Sequence, residues 1–215
     1  MLTYLFTEPI LFFVWCTALI IAVTVHEFAH AWTAVYMGDP TPKIQGRLTL
    51  NPLAHLDPLG TLLMLLVRFG WGKPVQFDPY NLKNPRRDAA IISIAGPASN
   101  LLLAGVLSVV LRFAMTPLSP FGFLATIIPP VIFLNVVLAV FNLIPIHPLD
   151  GGKVLVGLLP RHSAHDIDKL LHQYGMYILI LLIFPIWGGA SPVTYLISPV
   201  INLLLSIYLP SSPLI

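Results

Sequence analysis

Two histidines and a glutamate stand at helical spacing in the pentapeptide HEFAH, residues 26–30. Residues four apart lie on one face of a helix, so His26 and His30 can direct their imidazoles at one cation. Glu27 lies roughly 100° further round the same helix. Two imidazoles with a carboxylate beside them form a typical zinc site that activates water. The spacing therefore predicts His26 and His30 as ligands of one Zn²⁺ per chain and Glu27 as the general base.

The composition places this pentapeptide in a membrane. The 215 residues are 57% hydrophobic and only 9% charged, whereas soluble domains are roughly 25% charged. Glutamate and histidine are costly at such a depth and mark function. The single cysteine, Cys16, excludes a disulfide framework and a cysteine-rich zinc site. We expect an all-α polytopic membrane protein with a single domain, residues 1–215, and no separate soluble module.

Five segments have the apolarity and length to cross a bilayer: Pro9–Tyr36 and residues 89–114, 121–144, 170–187 and 193–209. A sixth segment, 59–69, is too short and is predicted to be re-entrant or to lie at the surface, so we expect five to six transmembrane helices. Ten of the eleven lysines and arginines follow the first or the third span. The positive-inside rule places both connections in the cytoplasm, with the N-terminus outside and the C-terminus inside. The active site is then expected nearer the cytoplasmic side.

The first of these connections contains an alternating pattern, KIQGRLTL, at residues 43–50, and a weaker one at 73–78. Alternation of polar and apolar residues predicts short strands, here a small β element in the first cytoplasmic loop, with an ordinary loop of chance alternation as the alternative. An exposed strand edge can bind an extended peptide by strand addition. The strand predicted to do so consists of Gly46, Arg47, Leu48, Thr49 and Leu50.

A catalytic zinc ion needs a third protein ligand, which two histidines do not supply. Asp150 is the strongest candidate because it follows the third predicted span, which ends on the same membrane face as His30. Pro145 and Pro148 stop the preceding helix, and the two following glycines allow a tight turn. The residues alone leave open three rivals, which are His147, Asp57 and His55.

Four strings together resemble the site-2 protease family of intramembrane zinc metalloproteases: HEFAH, GRLTLNPLAHLDPLGT (46–61), GPASN (96–100) and NLIPIHPLDGG (142–152). The resemblance covers residues 20–155 and implies a three-helix zinc-binding core. His26, His30 and Asp150 match the family's zinc ligands, and Glu27 matches its base. Asn142 matches an asparagine of the family motif, and Asn100 falls in the glycine-rich third motif. Both asparagines are candidates to bind the oxyanion or the substrate backbone, with a hydrogen bond between helices as the alternative.

The expected function is hydrolysis of peptide bonds within or near transmembrane segments of membrane proteins, in a bacterial or archaeal cell membrane. The expected partners are the bilayer and a transmembrane protein substrate, with no nucleic acid. We expect neither the PDZ nor the CBS domain that some members of the family carry. The alternatives are a non-catalytic membrane zinc-binding protein, a transporter, and a lipid-modifying or other metallohydrolase. A transporter is disfavoured because the candidate ligands cluster near one membrane face.

Overall fold

The structure is a computed structural model that describes residues 6–67, 70–116, 119–185 and 191–210. Phe69, Ile186 and Trp187, at which two of the predicted segments end, lie outside the described residues. The helices are α1 (Pro9–Tyr36), α2 (Thr41–Ile44), α3 (Pro58–Val67), α4 (Pro85–Ala114), α5 (Leu124–Asn142), α6 (Asp150–Leu158), α7 (Arg161–Ile183) and α8 (Pro192–Tyr208).

The expected all-α membrane architecture is confirmed at the level of the helices. Among the described residues, α1, α4 and α5 are long and apolar enough to cross a bilayer, while the apolar α8 is shorter, with 17 residues. α3, which contains most of the segment 59–69, has 10 residues. This is too few for the hydrocarbon core, which takes roughly 20 helical residues.

One stripe of α1 faces the protein interior and recurs every fourth residue: Ala18, Ala22, His26, His30 and Ala34 are all buried. Alanine at the ends of this stripe lets another helix backbone approach closely. The approach is direct at Asn100 of α4, whose side-chain amide donates to the carbonyl of Ala22 over 3.0 Å. The two histidines therefore lie on a packed helix face and not on a lipid-facing one.

Helix α4 is central, because it packs against α1, α5 and α6. The apolar core is built where α4, α5 and α8 meet, around the buried side chains of Leu111, Ile132, Val136 and Ile201. α7 joins through a second cluster that contains Ile144, Leu149, Leu179 and Val193. This packing brings the end of α5 and the start of α6 beside α1, and thereby positions the site.

The predicted strand at residues 46–50 is wrong. The chain forms helix α2 up to Ile44 and then turns, with Gly46 at φ 68°. Arg47, one of the polar residues of the alternating pattern, is buried and donates to the carbonyls of Ala54 and Lys73. Within the described ranges the β pairing consists of one isolated bridge, Leu56 with Gly72. The alternating residue types did not form a strand here, because the segment has no partner strand among the described residues.

The weaker strand predicted at 73–78 is not formed either, and a buried carboxylate holds the end of this segment in place. Asp39 accepts the backbone N–H of Asp78 over 2.7 Å and the side-chain amide of Asn81 over 2.8 Å. It also accepts the N–H and the hydroxyl of Thr41. Burial raises the pKa of Asp39, but these donors outweigh burial, so the pKa lies below its ordinary value. The carboxylate of Asp39 thereby holds the loop that contains Asp78 and Asn81 close to the C-terminal end of α1.

Candidate metal centre

The two histidines of the HEFAH motif lie side by side at the packed face of α1. Their rings are edge to face, with centroids 4.6 Å apart, and His26 is 4% and His30 7% exposed. The Nδ1 of His30 lies 2.7 Å from the carbonyl oxygen of Ile92. A carbonyl only accepts, so Nδ1 carries a proton, and in the neutral ring of His30 the lone pair lies on Nε2.

The tautomer of His26 is set in the same way by Asn100. Nδ1 of His26 lies 2.6 Å from Oδ1 of Asn100, while the amide nitrogen of Asn100 donates to Ala22 and to Oδ1 of Asn135. The carbonyl of Ala22 requires a donor, so it identifies which end of the amide is nitrogen. Oδ1 of Asn100 therefore accepts from His26, and in the neutral ring of His26 the lone pair likewise lies on Nε2.

Asp150, the first residue of α6, completes the group. Its Oδ2 lies 3.1 Å from Nε2 of His26 and 3.2 Å from Nε2 of His30. The three ligand atoms lie within 4.8 Å of one another. Burial raises the pKa of Asp150, but the two facing imidazoles outweigh burial and hold it below its usual range. Gly151 permits this position, because a Cβ there would lie 2.3 Å from the carbonyl oxygens of Leu143 and Ile144.

The donor set fits a zinc ion. When both rings are neutral, three acceptor atoms converge here, and a shared cation would offset their mutual repulsion. Zinc bonds of about 2.0–2.2 Å place neighbouring tetrahedral ligands roughly 3.3–3.5 Å apart, close to the separations found here. The absent side chain of Gly96 leaves the space that this requires, because a Cβ there would lie 2.4 Å from Nε2 of His30 and 2.7 Å from that of His26.

Glu27 is oriented by the loop that precedes α4. Its Oε2 accepts the backbone N–H of Val75 over 2.9 Å, so the extended segment 73–78 runs past the predicted base. Lys153, one turn along α6 from Asp150, lies with Nζ 4.6 Å from the centroid of the Phe77 ring. Burial lowers the pKa of Lys153, and the carboxylates of Asp150 and Glu27 counteract this effect.

The two candidate oxyanion residues have other partners. Asn100 is fully buried and uses both its amide hydrogens, on Ala22 and Asn135, so it orients His26 and has no donor left for a substrate. Asn142 donates to the carbonyl of Leu138 on its own helix. The helix-packing alternative therefore describes Asn100 better than the oxyanion one.

The rivals for the third ligand also lie elsewhere. Nε2 of His55 donates to the carbonyl of Thr49, and Asp57 accepts the N–H of Gly60 at the start of α3. His147 pairs with Asp168 of α7 over 3.2 Å. Burial lowers the pKa of His147, although the carboxylate of Asp168 works in the opposite direction.

The structure adds site residues that the pattern did not single out. Asn135 supports Asn100 from α5, and as an amide inside an apolar span it carried a signal that could have been read. Ile92 contributes its backbone carbonyl and Val75 its backbone N–H. The identity of a side chain does not predict such backbone contacts.

Comparison with known proteins agrees with this centre. The sequence pattern of Peptidase family M50 matches residues 116–186. The chain is 40% identical to "Putative zinc metalloprotease YwhC" of Bacillus subtilis over 189 residues, which are 86% of this chain and 84% of that protein.

Two longer relatives are also similar. "Putative zinc metalloprotease Rip2" of Mycolicibacterium smegmatis is 33% identical over 76% of this chain and 64% of its own. "Zinc metalloprotease MJ0392" of Methanocaldococcus jannaschii is 28% identical over 77% of this chain and 41% of its own. No solved structure matches the chain. Because the identity to YwhC extends over most of both chains, the resemblance read from the motifs is confirmed: this chain belongs to peptidase family M50, the site-2 protease family of intramembrane zinc metalloproteases.

Proposed function

We propose that this chain hydrolyses peptide bonds within or near transmembrane segments of membrane proteins, with His26, His30 and Asp150 as the ligands of one Zn²⁺ and Glu27 as the general base. The observation that carries the proposal is the convergence of Nε2 of His26, Nε2 of His30 and a carboxylate oxygen of Asp150 within 4.8 Å at a largely buried position. A bound zinc ion supplies Lewis acidity, which acidifies a water and polarises the scissile carbonyl.

The chain's own residues then divide the remaining work. Asn100 and the Ile92 carbonyl hold the histidine rings so that both Nε2 atoms face the ion. Glu27 takes the proton of the attacking water and returns it to the leaving amine. The N–H of Val75 fixes the carboxylate of Glu27 through one oxygen, Oε2. Its other oxygen is then available for the water.

The test distinguishes the general base, Glu27, from the three zinc ligands. Glu27→Gln should keep bound zinc and lose cleavage of a membrane-embedded test helix by about 10²–10⁴-fold, the usual contribution of a general base. His26→Ala, His30→Ala and Asp150→Ala should each lower the zinc content of the purified protein. Cleavage by Glu27→Gln within about tenfold of wild type would contradict the assigned role. Zinc binding without any cleavage by wild type would favour the non-catalytic or transporter alternative.

We further propose one domain of five spans, in which α1, α4 and α5 form the zinc-binding core and α7 and α8 supply the other two crossings. The contacts of α8 with both α5 and α7 support one packed unit. The approach of Asp150 to α1 supports placing both basic connections on one face. With the positive-inside rule, that face is cytoplasmic, in a bacterial or archaeal cell membrane.

This orientation is testable by cysteine labelling. Lys83 is exposed in one basic connection, and Gly122 is exposed at the opposite end of α4 and α5. In a Cys16→Ser background, a membrane-impermeant thiol reagent added to intact cells should label Gly122→Cys and leave Lys83→Cys unlabelled. The reverse pattern would invert the proposed topology.

A further inference from the structure

A second group of metal-ligating side chains lies beside the first. His147 stands in the link between α5 and α6, and Asp168 and His172 are four residues apart on α7. One ligand atom of each lies within 4.8 Å of the others. We propose that His147, Asp168 and His172 form a second site for a divalent transition metal, with zinc as its first candidate. This site goes beyond the proteolytic function and needs none of its ligands.

The separations suit one ion. Nε2 of His147 is 3.2 Å and Nδ1 of His172 is 3.3 Å from the same oxygen, Oδ1 of Asp168. Zinc with ligand distances of about 2.0–2.1 Å places tetrahedral neighbours roughly 3.3 Å apart. The two imidazole rings have centroids 4.2 Å apart and an interplanar angle of 52°. Both rings can therefore offer a nitrogen ligand to one ion beside the carboxylate. Imidazole and carboxylate together suit zinc and its neighbours in the first transition row.

Two glycines hold His147 in its position. A Cβ on Gly175 of α7 would lie 2.4 Å from the carbonyl oxygen of His147, and a Cβ on Gly152 of α6 would lie 2.9 Å from its Nδ1. The absence of both side chains lets α6 and α7 close on this residue. His147 is accordingly only 8% exposed. Packing therefore holds His147 in position independently of any bound ion.

The other two ligands are open to solvent. The side chains of Asp168 and His172 are 43% and 67% exposed. His172 stands at a pocket of about 680 Å³ that is also lined by His147, Lys153 and the segment 74–77. Water can reach the group from this pocket and fill the remaining coordination positions. The positively charged ammonium of Lys153 also lies at the pocket wall, where it contacts the face of the Phe77 ring.

The alternative is a carboxylate that accepts hydrogen bonds from two neutral imidazoles. Nδ1 of His172 also lies 2.9 Å from the carbonyl oxygen of Asp168, so metal binding requires this exposed ring to release that bond or to offer Nε2. The two arrangements differ in the number of metal ions bound per chain. A bound ion would tie α7 to the link that ends at Asp150, and so would brace the ligand of the first centre.

The experiment measures zinc per chain in the purified full-length protein after dialysis against buffered micromolar Zn²⁺. The double variant Asp168→Asn, His172→Ala removes two exposed ligands. The matched control, His165→Ala with Asp166→Asn, removes the same residue types from exposed positions of the same helix. We expect the first double variant to bind one zinc ion fewer than wild type and the control to bind as many as wild type. Equal zinc in all three proteins, or an equal loss in both variants, would overturn the proposal.

A further pair of measurements keeps this site distinct from the first centre. A His26→Ala, His30→Ala variant should retain the ion that the Asp168 and His172 substitutions remove. Cobalt(II) titration of that variant should give a d–d absorption band that disappears when Asp168 and His172 are also replaced. Absence of any cobalt band from the His26→Ala, His30→Ala protein would contradict a second site, whatever the proteolytic activity of wild type.

Discussion

Gly96→Ala is the sharpest test of how the zinc centre is built, because it adds one methyl group beside both histidines and changes no ligand. The new Cβ would lie 2.4 Å from Nε2 of His30 and 2.7 Å from Nε2 of His26. Ordinary contacts of this kind are about 3.5 Å or longer, so the rings must recede by roughly an ångström. They are held on the opposite side by Asn100 at 2.6 Å and the Ile92 carbonyl at 2.7 Å.

The magnitude follows from these restraints. Overpacking of a filled interior costs about 1–3 kcal/mol, and each displaced hydrogen bond adds about 0.5–1.5 kcal/mol. Because part of the strain relaxes, we expect zinc affinity to fall by about 2–4 kcal/mol, or roughly 30- to 1,000-fold. Competition with a chromophoric zinc chelator measures this change directly.

Gly105→Ala is the matched control on the same helix. A Cβ there would lie 3.6 Å from the ring of Tyr208, an ordinary contact. Alanine in place of glycine favours a helix interior by up to about 1 kcal/mol, so this variant should unfold at or slightly above the wild-type temperature and bind zinc normally. Unchanged zinc affinity in Gly96→Ala would refute the convergence of both Nε2 atoms on the space beside this glycine.

Three further predictions concern the groups that support the centre. Asn100→Leu removes the acceptor that sets the tautomer of His26 and should weaken zinc binding about 10- to 100-fold in the same chelator assay. Val75→Pro removes the N–H that Glu27 accepts and should lower kcat with zinc content unchanged, whereas Val75→Ala should cleave normally. For Asp39, whose folded pKa is lowered, the stabilisation is present above the ordinary pKa of 3.8 and is lost as pH falls through the folded value. The thermal unfolding temperature of wild type should therefore drop below about pH 4, while Asp39→Asn should be less stable at pH 7, by about 1–3 kcal/mol, and lack that acid-dependent loss.

Local sequence patterns were enough to predict the first helix and the candidate zinc ligands. The helix that carries HEFAH was predicted from apolarity as Pro9–Tyr36 and has those bounds in the structure. The spacing of His26 and His30 was enough to place both on one face, because a helix repeats within a few residues. Asp150 was ranked first as third ligand from its place after the third span, and the structure brings it to both histidines.

The strand at residues 46–50 shows where such patterns fail. An alternation of eight residues is as compatible with a turn as with a strand, and the distinction depends on whether a partner strand exists. Here Arg47 found carbonyl acceptors on Ala54 and Lys73 in the interior. The residue types alternate along the sequence, but burial does not follow them, since Arg47 is buried while Ile44 and Leu50 are exposed.

The sequence by itself determined which side chains can bind zinc, because ligand type and helical spacing are local properties. Only the tertiary structure decided which nitrogen of each ring is free, since that depends on Asn100 and Ile92, which lie 74 and 62 residues along the chain from their histidines. Packing likewise brought the Val75 amide to Glu27 and His147 to Asp168. These contacts join groups that helix packing brings together, and no short-range sequence periodicity predicts them.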